Sequence, residues 1–277
     1  MSKGIELKTR GELQAMRASG VILARAIAAM KAAVAPGMTT GDIDAVGAQV
    51  ITDAGAVSNF KGYHGFPGTI CASVNDEIVH GIPSAKRVLR DGDLLSIDCG
   101  CILDGWHSDS AVSVHVGEPP SMDEVDLIAA AADAMWAGIA AARPGGKLGA
   151  ITAAIEGSVH KSGANDGRRY GEVDGYGGHG IGTAMHMDPF VPNHGRQGKG
   201  LKLPAGTALA IEPMLTLGTS ASRELDDHWT VVTKDGSRAA HVEHSIAITE
   251  DGICVLSADD GGVAGLAPYG VTPVSLD

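Results

Sequence analysis

The chain has 277 residues, 44% of them hydrophobic, and carries 33 acidic against 21 basic side chains for a net charge of −12. That length buries a core without disulfide or zinc staples, and the acidity excludes nucleic acid as the main ligand, because phosphate contacts need clustered Lys and Arg. The four cysteines, Cys71, Cys99, Cys101 and Cys254, form no CxxC pair and read as free, buried thiols of a reducing compartment.

The opening MSKGIELKT lacks the apolar core of a signal peptide, and the apolar stretch 21–35 is broken by Arg25 and Lys31. Neither a secretion signal nor a membrane span is expected, and the cytoplasm is the expected compartment. Leu13, Met16, Gly20, Leu23, Ile27, Met30 and Val34 step by threes and fours, which predicts one buried face of a long helix ended by Pro36 and Gly37. A second helix is expected from a cap at Thr40 to about Gly55. Ser121 with Glu124 reads as a capping box for a helix running to Ala142, and a fourth helix is expected from Leu148 to Ser162, stopped by Gly163. Helix pair, Pro-Gly or Gly-rich break and strands thus occur over 10–115 and again over 121–256. AVAPGMTTGDIDAVG and AARPGGKLGAITAAI align without gaps, PG under PG, which suggests an internal duplication. One domain over 1–257 is expected, with 258–277 an extended or disordered tail, since its Gly, Pro and Asp follow no apolar period.

Within this frame, acidic side chains interrupt apolar strand sequence. Asp98 ends LLSID, and Asp109 follows after Asp104-Gly105, a strong hairpin signal. With those two as the loop, position 98 faces 111 and position 109 is its diagonal neighbour, so both carboxylates share one face. Glu212 interrupts TALAIEPML and Glu243 interrupts AHVEHSIAI. A buried glutamate needs a cation, a hydrogen-bond partner or a raised pKa. His179 lies among glycines in GYGGHGIG, which suits close backbone approach to a ligated ring. The run satisfies GxGxxG, yet it lacks the preceding strand and following helix of a dinucleotide site. Asp98, Asp109, His179, Glu212 and Glu243 make a hard, oxygen-rich set that suits two divalent ions better than one tetrahedral zinc. His80 and His186 are candidates for proton handling or donation to a substrate carbonyl. HExxH, GxSxG and a P-loop are absent from the sequence.

NDEIVHGIP, LLSIDCGCILDGWHSDSA, GYGGHGIGTAMH, AIEPML, HWTVVTKDG and VEHSIAIT, in this order and spacing, resemble the type I methionine aminopeptidases over about residues 7–256. The resemblance implies the pita-bread fold, an α/β (α+β) architecture of pseudo-twofold duplicated helix pairs around a curved antiparallel sheet. It implies removal of the initiator methionine from nascent proteins when the next residue is small, by attack of a water acidified by two metal ions (Co, Mn, Fe or Zn). Carried over by motif, Asp109 and Glu243 would bridge the metals, Asp98 would bind one, and His179 and Glu212 the other. His186 would donate to the peptide, His80 would contact it beyond the scissile bond, and Glu243 would pass a proton to the leaving amine. Phe60, Tyr63, His64, Phe66, Cys71 and Trp229 would line the methionine pocket, with Met185 where many relatives carry an aromatic residue. Met187 and Asp188 replace a commonly acidic pair. The resemblance also implies a monomer of short bacterial form that meets nascent chain N-termini; the basic groups around Lys86 and Arg196 read either as solvated loop charges or as a docking patch near the ribosomal exit tunnel. The rival readings are an Xaa-Pro aminopeptidase or prolidase of the same fold, and a binding protein of that fold that has lost catalysis.

Overall fold

In the computed structural model, which describes residues 4–277, Thr9 opens the first helix. Its hydroxyl accepts from the Glu12 N–H while the Glu12 carboxylate accepts from the Thr9 N–H, satisfying two donors that a helix start leaves free. This helix, α1 (Arg10–Ala33), is long and apolar enough to cross a membrane by length and composition. Its stripe of Leu13, Met16, Leu23 and Met30 is nevertheless buried inside the fold, as in a core helix. The second helix, α2 (Thr40–Asp53), is capped by Thr39 and not by Thr40, because Asp42 stands three residues beyond Thr39 and completes the reciprocal pair. Thr40 instead exchanges hydrogen bonds with Ser84.

Helix α3 (Met122–Ala141) begins at Ser121 without the expected capping box. Glu124 is turned inward, where its carboxylate meets Arg238 Nε at 3.4 Å. Helix α4 (Leu148–Asp166) runs past Gly163 to a left-handed cap at Gly167. Gly163 is buried there because a side chain would meet the Arg168 carbonyl, so this glycine serves packing and not termination.

A nine-stranded antiparallel sheet carries the site. Across it lie Val57–Ser58, Leu94–Leu103, Trp106–His115, Glu243–Ile248, Thr207–Ile211, Gly178–Gly180 and Met187–Val191, with Ile70–Val74 and Ile253–Val255 joining at the flanks. The two helix pairs cover one face of it. Helices α1 and α2 pack through Leu23, Met30 and Ile43 against Leu95, Ile97 and Cys99, while α3 and α4 pack through Leu127, Ile139 and Ile155 against Leu209, Ile211 and Ile246. Strand alternation then turns Asp98, Asp109 and Glu243 to the opposite face. Between the two helix-covered regions runs a seam, where Trp106–His115 pairs with Glu243–Ile248.

The segment 258–277 is not disordered. A short helix, Val263–Leu266, and a turn, Ala267–Tyr269, precede an extended end. Leu266 is buried against the α3 cluster and Leu276 against Leu13 and Met16. The buried Arg17 guanidinium donates to the carbonyls of Leu256, Ala258 and Asp259 and to the Asp277 carboxylate. These anchors are scattered single residues, which no periodic pattern announces.

Candidate active site

Leu103 and Trp106 pair directly, leaving Asp104 and Gly105, both with positive φ, as a two-residue loop whose twist matches that of the strands. From that turn the register is fixed: Asp98 faces Ala111, and Asp109 faces Gly100. Both carboxylates share a face, as the parity predicts. The strand does not end at Asp98 but continues to Leu103, so Asp98 lies mid-strand. Glu243 faces Ala111 from the other side of the seam. A residue of minimal side chain therefore separates Asp98 from Glu243 and leaves space between them.

His179 sits at the centre of Gly178–Gly180. A side chain at position 178 would strike the Ala210 carbonyl and one at position 180 the Asp188 carbonyl, so only glycine on both sides lets the strand lie this close. His179 Nδ1 meets the Gly180 carbonyl at 3.0 Å. A carbonyl only accepts, so Nδ1 carries the proton and the Nε2 lone pair is free for a ligand. Burial, and His186 beside it, hold the His179 pKa down to about 3.

Ligand atoms of Asp109, His179 and Glu243 all lie within 4.8 Å of one another, and all three residues are buried. Glu212, which follows the strand Thr207–Ile211, places Oε1 3.5 Å from His179 Nε2. Its other oxygen lies 3.4 Å from His241 Nε2. Asp98 stands across Ala111 from Glu243. One oxygen each of Asp98, Asp109 and Glu243 is buried without a hydrogen-bond partner. Burial pushes Asp98 up to about 7 and Glu212 up to about 8, and lifts Asp109 and Glu243 well above the carboxylate range, with the neighbouring acids adding repulsion. Orphaned, mutually repelling buried carboxylates beside a free imidazole lone pair are the donor set that divalent cations satisfy. The residues fit such ions.

The carboxylates form the floor of a cavity of about 940 Å³. Its apolar end is closed by Phe60, Phe66, Cys71 and Met185, all buried, with Tyr63 and Trp229 packed against them. Phe66 and Trp229 meet edge to face, 5.0 Å between centroids, a geometry that aromatic quadrupoles favour. His64 stands exposed at the mouth, its ring edge-on to Tyr63. Tyr63 Oη lies 2.9 Å from His186 Nδ1, and the His186 ring is 4.4 Å from that of His179. His80, held at positive φ, faces Trp229 and Tyr176. Burial first, then His241, lowers its pKa to about 4, and burial with His64 lowers that of His186. Both imidazoles are neutral at physiological pH. All the residues singled out for the metal set and the pocket thus line one cavity.

Among the lining residues that the sequence reading did not single out are His241, Tyr176 and Glu6. His241 lies two residues before Glu243, and alternation from Glu243 could have found it. Tyr176 is adjacent to the glycine run without a period to mark it. Glu6 reaches the cavity from near the start of the chain by accepting from the Thr183 hydroxyl at 2.9 Å, a contact with no local signal.

Comparisons with known proteins agree with this geometry. Residues 14–250 match the model of metallopeptidase family M24. The chain is 52% identical over 250 residues to methionine aminopeptidase 1 of Mycobacterium tuberculosis, covering 90% of this chain and 94% of that one. It is 43% identical to methionine aminopeptidase 1 of Bacillus subtilis, covering 90% and 98%. Its fold superimposes on the crystal structure of methionine aminopeptidase from Thermotoga maritima with a TM-score of 0.87 at 35% identity, covering 92% and 100%. The prolidase of Pyrococcus furiosus shares the fold at a TM-score of 0.69 and 19% identity, covering 91% of this chain and 65% of that one. The pita-bread architecture that the resemblance implies is therefore the one the chain adopts.

Proposed function

Since this chain belongs to the methionine aminopeptidases, within metallopeptidase family M24, we propose that it removes the initiator methionine from nascent polypeptides whose second residue is small. Membership in a metallopeptidase family implies divalent metal, and the convergence of Asp109, His179 and Glu243 beside an apolar cavity is the observation that carries the reading. Two divalent ions would be held by Asp98, Asp109, His179, Glu212 and Glu243, with Asp109 and Glu243 shared between them. When bound, they supply the charge that acidifies a water and polarises the first peptide carbonyl.

The remaining work falls to the chain's own groups. Phe60, Phe66, Cys71, Met185 and Trp229 take up the methionine side chain, since a polarisable thioether suits aromatic and sulfur neighbours. Because buried residues close that end of the cavity, it accepts a side chain of limited length. His186, oriented by Tyr63, donates to the peptide, and His80 contacts the residue after the scissile bond. The Glu243 carboxylate takes a proton from the attacking water and passes it to the leaving amine. Met185, unbranched and flexible, shapes the pocket differently from an aromatic ring.

The likeness to prolidase is one of fold, so substrate choice rests on the pocket. Purified protein loaded separately with cobalt, manganese, iron or zinc should release methionine from Met-Ala-Ser with at least one of these ions. Turnover of Xaa-Pro peptides in its place would overturn the assignment, and Met-peptide binding without release would make the chain a binding protein. The reading extends to a cytoplasmic monomer that works near the ribosomal exit tunnel, with the basic segments around Lys86 and Arg196 as its docking patch. Co-sedimentation with ribosomes that ignores salt and Lys/Arg→Glu changes there would count against that placement.

A further inference from the structure

The seam strands Trp106–His115 and Glu243–Ile248 meet in backbone register at two pairs, Glu243 with Ala111 and His244 with Ser110. On each side of this short ladder a serine hydroxyl replaces a backbone group. Two residues past Ala111, Ser113 Oγ donates to the His241 carbonyl at 2.8 Å and accepts from the His241 N–H at 2.9 Å. Two residues past Glu243, Ser245 Oγ donates to the Asp109 carbonyl at 2.8 Å and accepts from the Asp109 N–H at 3.1 Å. The clips are reciprocal. Each strand grips the residue two positions before the central pair on the other.

Both serines are buried, and each is held from behind. Ser96 Oγ lies 2.8 Å from Ser113 Oγ, and Ser257 Oγ accepts from the Ser245 N–H at 3.0 Å. A hydroxyl that donates and accepts at once fixes both polar groups of one backbone residue. Here those residues are Asp109, in the metal set, and His241, whose Nε2 lies 3.4 Å from Glu212 Oε2. The clips therefore join opposite halves at two of the backbone positions whose side chains meet the cluster.

We propose that Ser113 and Ser245 are positioning residues of the metal centre, setting the spacing across the seam between the carboxylates contributed by the two halves. Ser245 acts on Asp109 directly, and Ser113 acts on Glu212 through His241. The inference rests on the reading of this cluster as a divalent-metal site. Partners that orient metal ligands contribute roughly 10- to 100-fold in affinity. The larger effect belongs to Ser245, which touches a ligand residue itself.

Ser245→Thr and Ser245→Val compare two side chains of equal shape that differ in the hydroxyl. Manganese titrated calorimetrically into metal-free full-length protein should bind the Thr variant within about threefold of wild type and the Val variant at least about tenfold more weakly. Ser113→Val should weaken binding by a smaller factor than Ser245→Val. Should the Val variant fail to fold, Ser245→Cys, with its weaker donor, takes its place and should fall between Thr and the tenfold loss. Wild-type protein that takes up no manganese sinks the metal reading itself. Wild type that binds while Thr and Val (or Cys) bind alike overturns the positioning role, even where the variant lowers the melting temperature.

Discussion

The first half of the molecule brings Asp98 and Asp109 to the site on one hairpin of ten consecutive residue pairs, whereas the second half brings His179, Glu212 and Glu243 from three separate segments. The hairpin positions its carboxylates by local register. The second set depends on close approach between separate strands: Gly178 against Ala210, Gly180 against Asp188, Glu243 against Ala111. Errors in the first half should therefore cost stability before activity, and errors in the second the reverse.

Removing a shared carboxylate tests both halves together. Asp109→Asn and Glu243→Gln should each cut kcat/KM for Met-Ala-Ser by about a thousandfold or more, some 4 kcal/mol of transition-state stabilisation, with an unchanged circular dichroism spectrum. Retained activity in either variant under controlled metal would refute the shared-ligand assignment.

Chelation comes next in size. Binding that favours the folded state at a hundred times Kd adds about 2.7 kcal/mol, so stripping divalent ions should lower Tm by about 5 °C or more. Re-adding manganese should restore it, because the cations relieve the repulsion among Asp98, Asp109, Glu212 and Glu243. A Tm that ignores chelator would contradict that role.

A matched pair of glycines then separates the halves. Gly180→Ala places a methyl against the Asp188 and Met187 carbonyls and displaces His179. Activity should fall by roughly thirtyfold, about 2 kcal/mol, with a smaller loss of stability. Gly105→Ala meets no neighbouring atom but must hold a positive φ. Denaturant titration should show a loss of about 1 kcal/mol, with kcat/KM of the folded fraction unchanged. If Gly105→Ala proved the more damaging to catalysis, the contrast between the halves would fail.

The same contrast explains what could be read from the residues alone. Asp104-Gly105 announces its turn, and parity then places Asp98 and Asp109 without any knowledge of tertiary structure. The capping box at Ser121 misleads because Glu124, which the motif spends on the helix start, is drawn inward by Arg238. Gly163 misleads in the same way, being demanded by the Arg168 carbonyl and not by a helix end. Glu6 reaches the cavity through a contact that spans most of the chain, and the serine clips became visible only once the strands were paired across the seam.

The Arg17 clasp has a consequence for how the chain reaches this state. Its partners lie 239 to 260 residues away, and the Ser245 clip closes a separation of 136. Contacts of such range enter late, because loop closure must be met before they can form. Helix α1, synthesised among the first segments, therefore completes its burial only after the final strands have emerged. The first helix of the chain is thus among the last elements to finish packing.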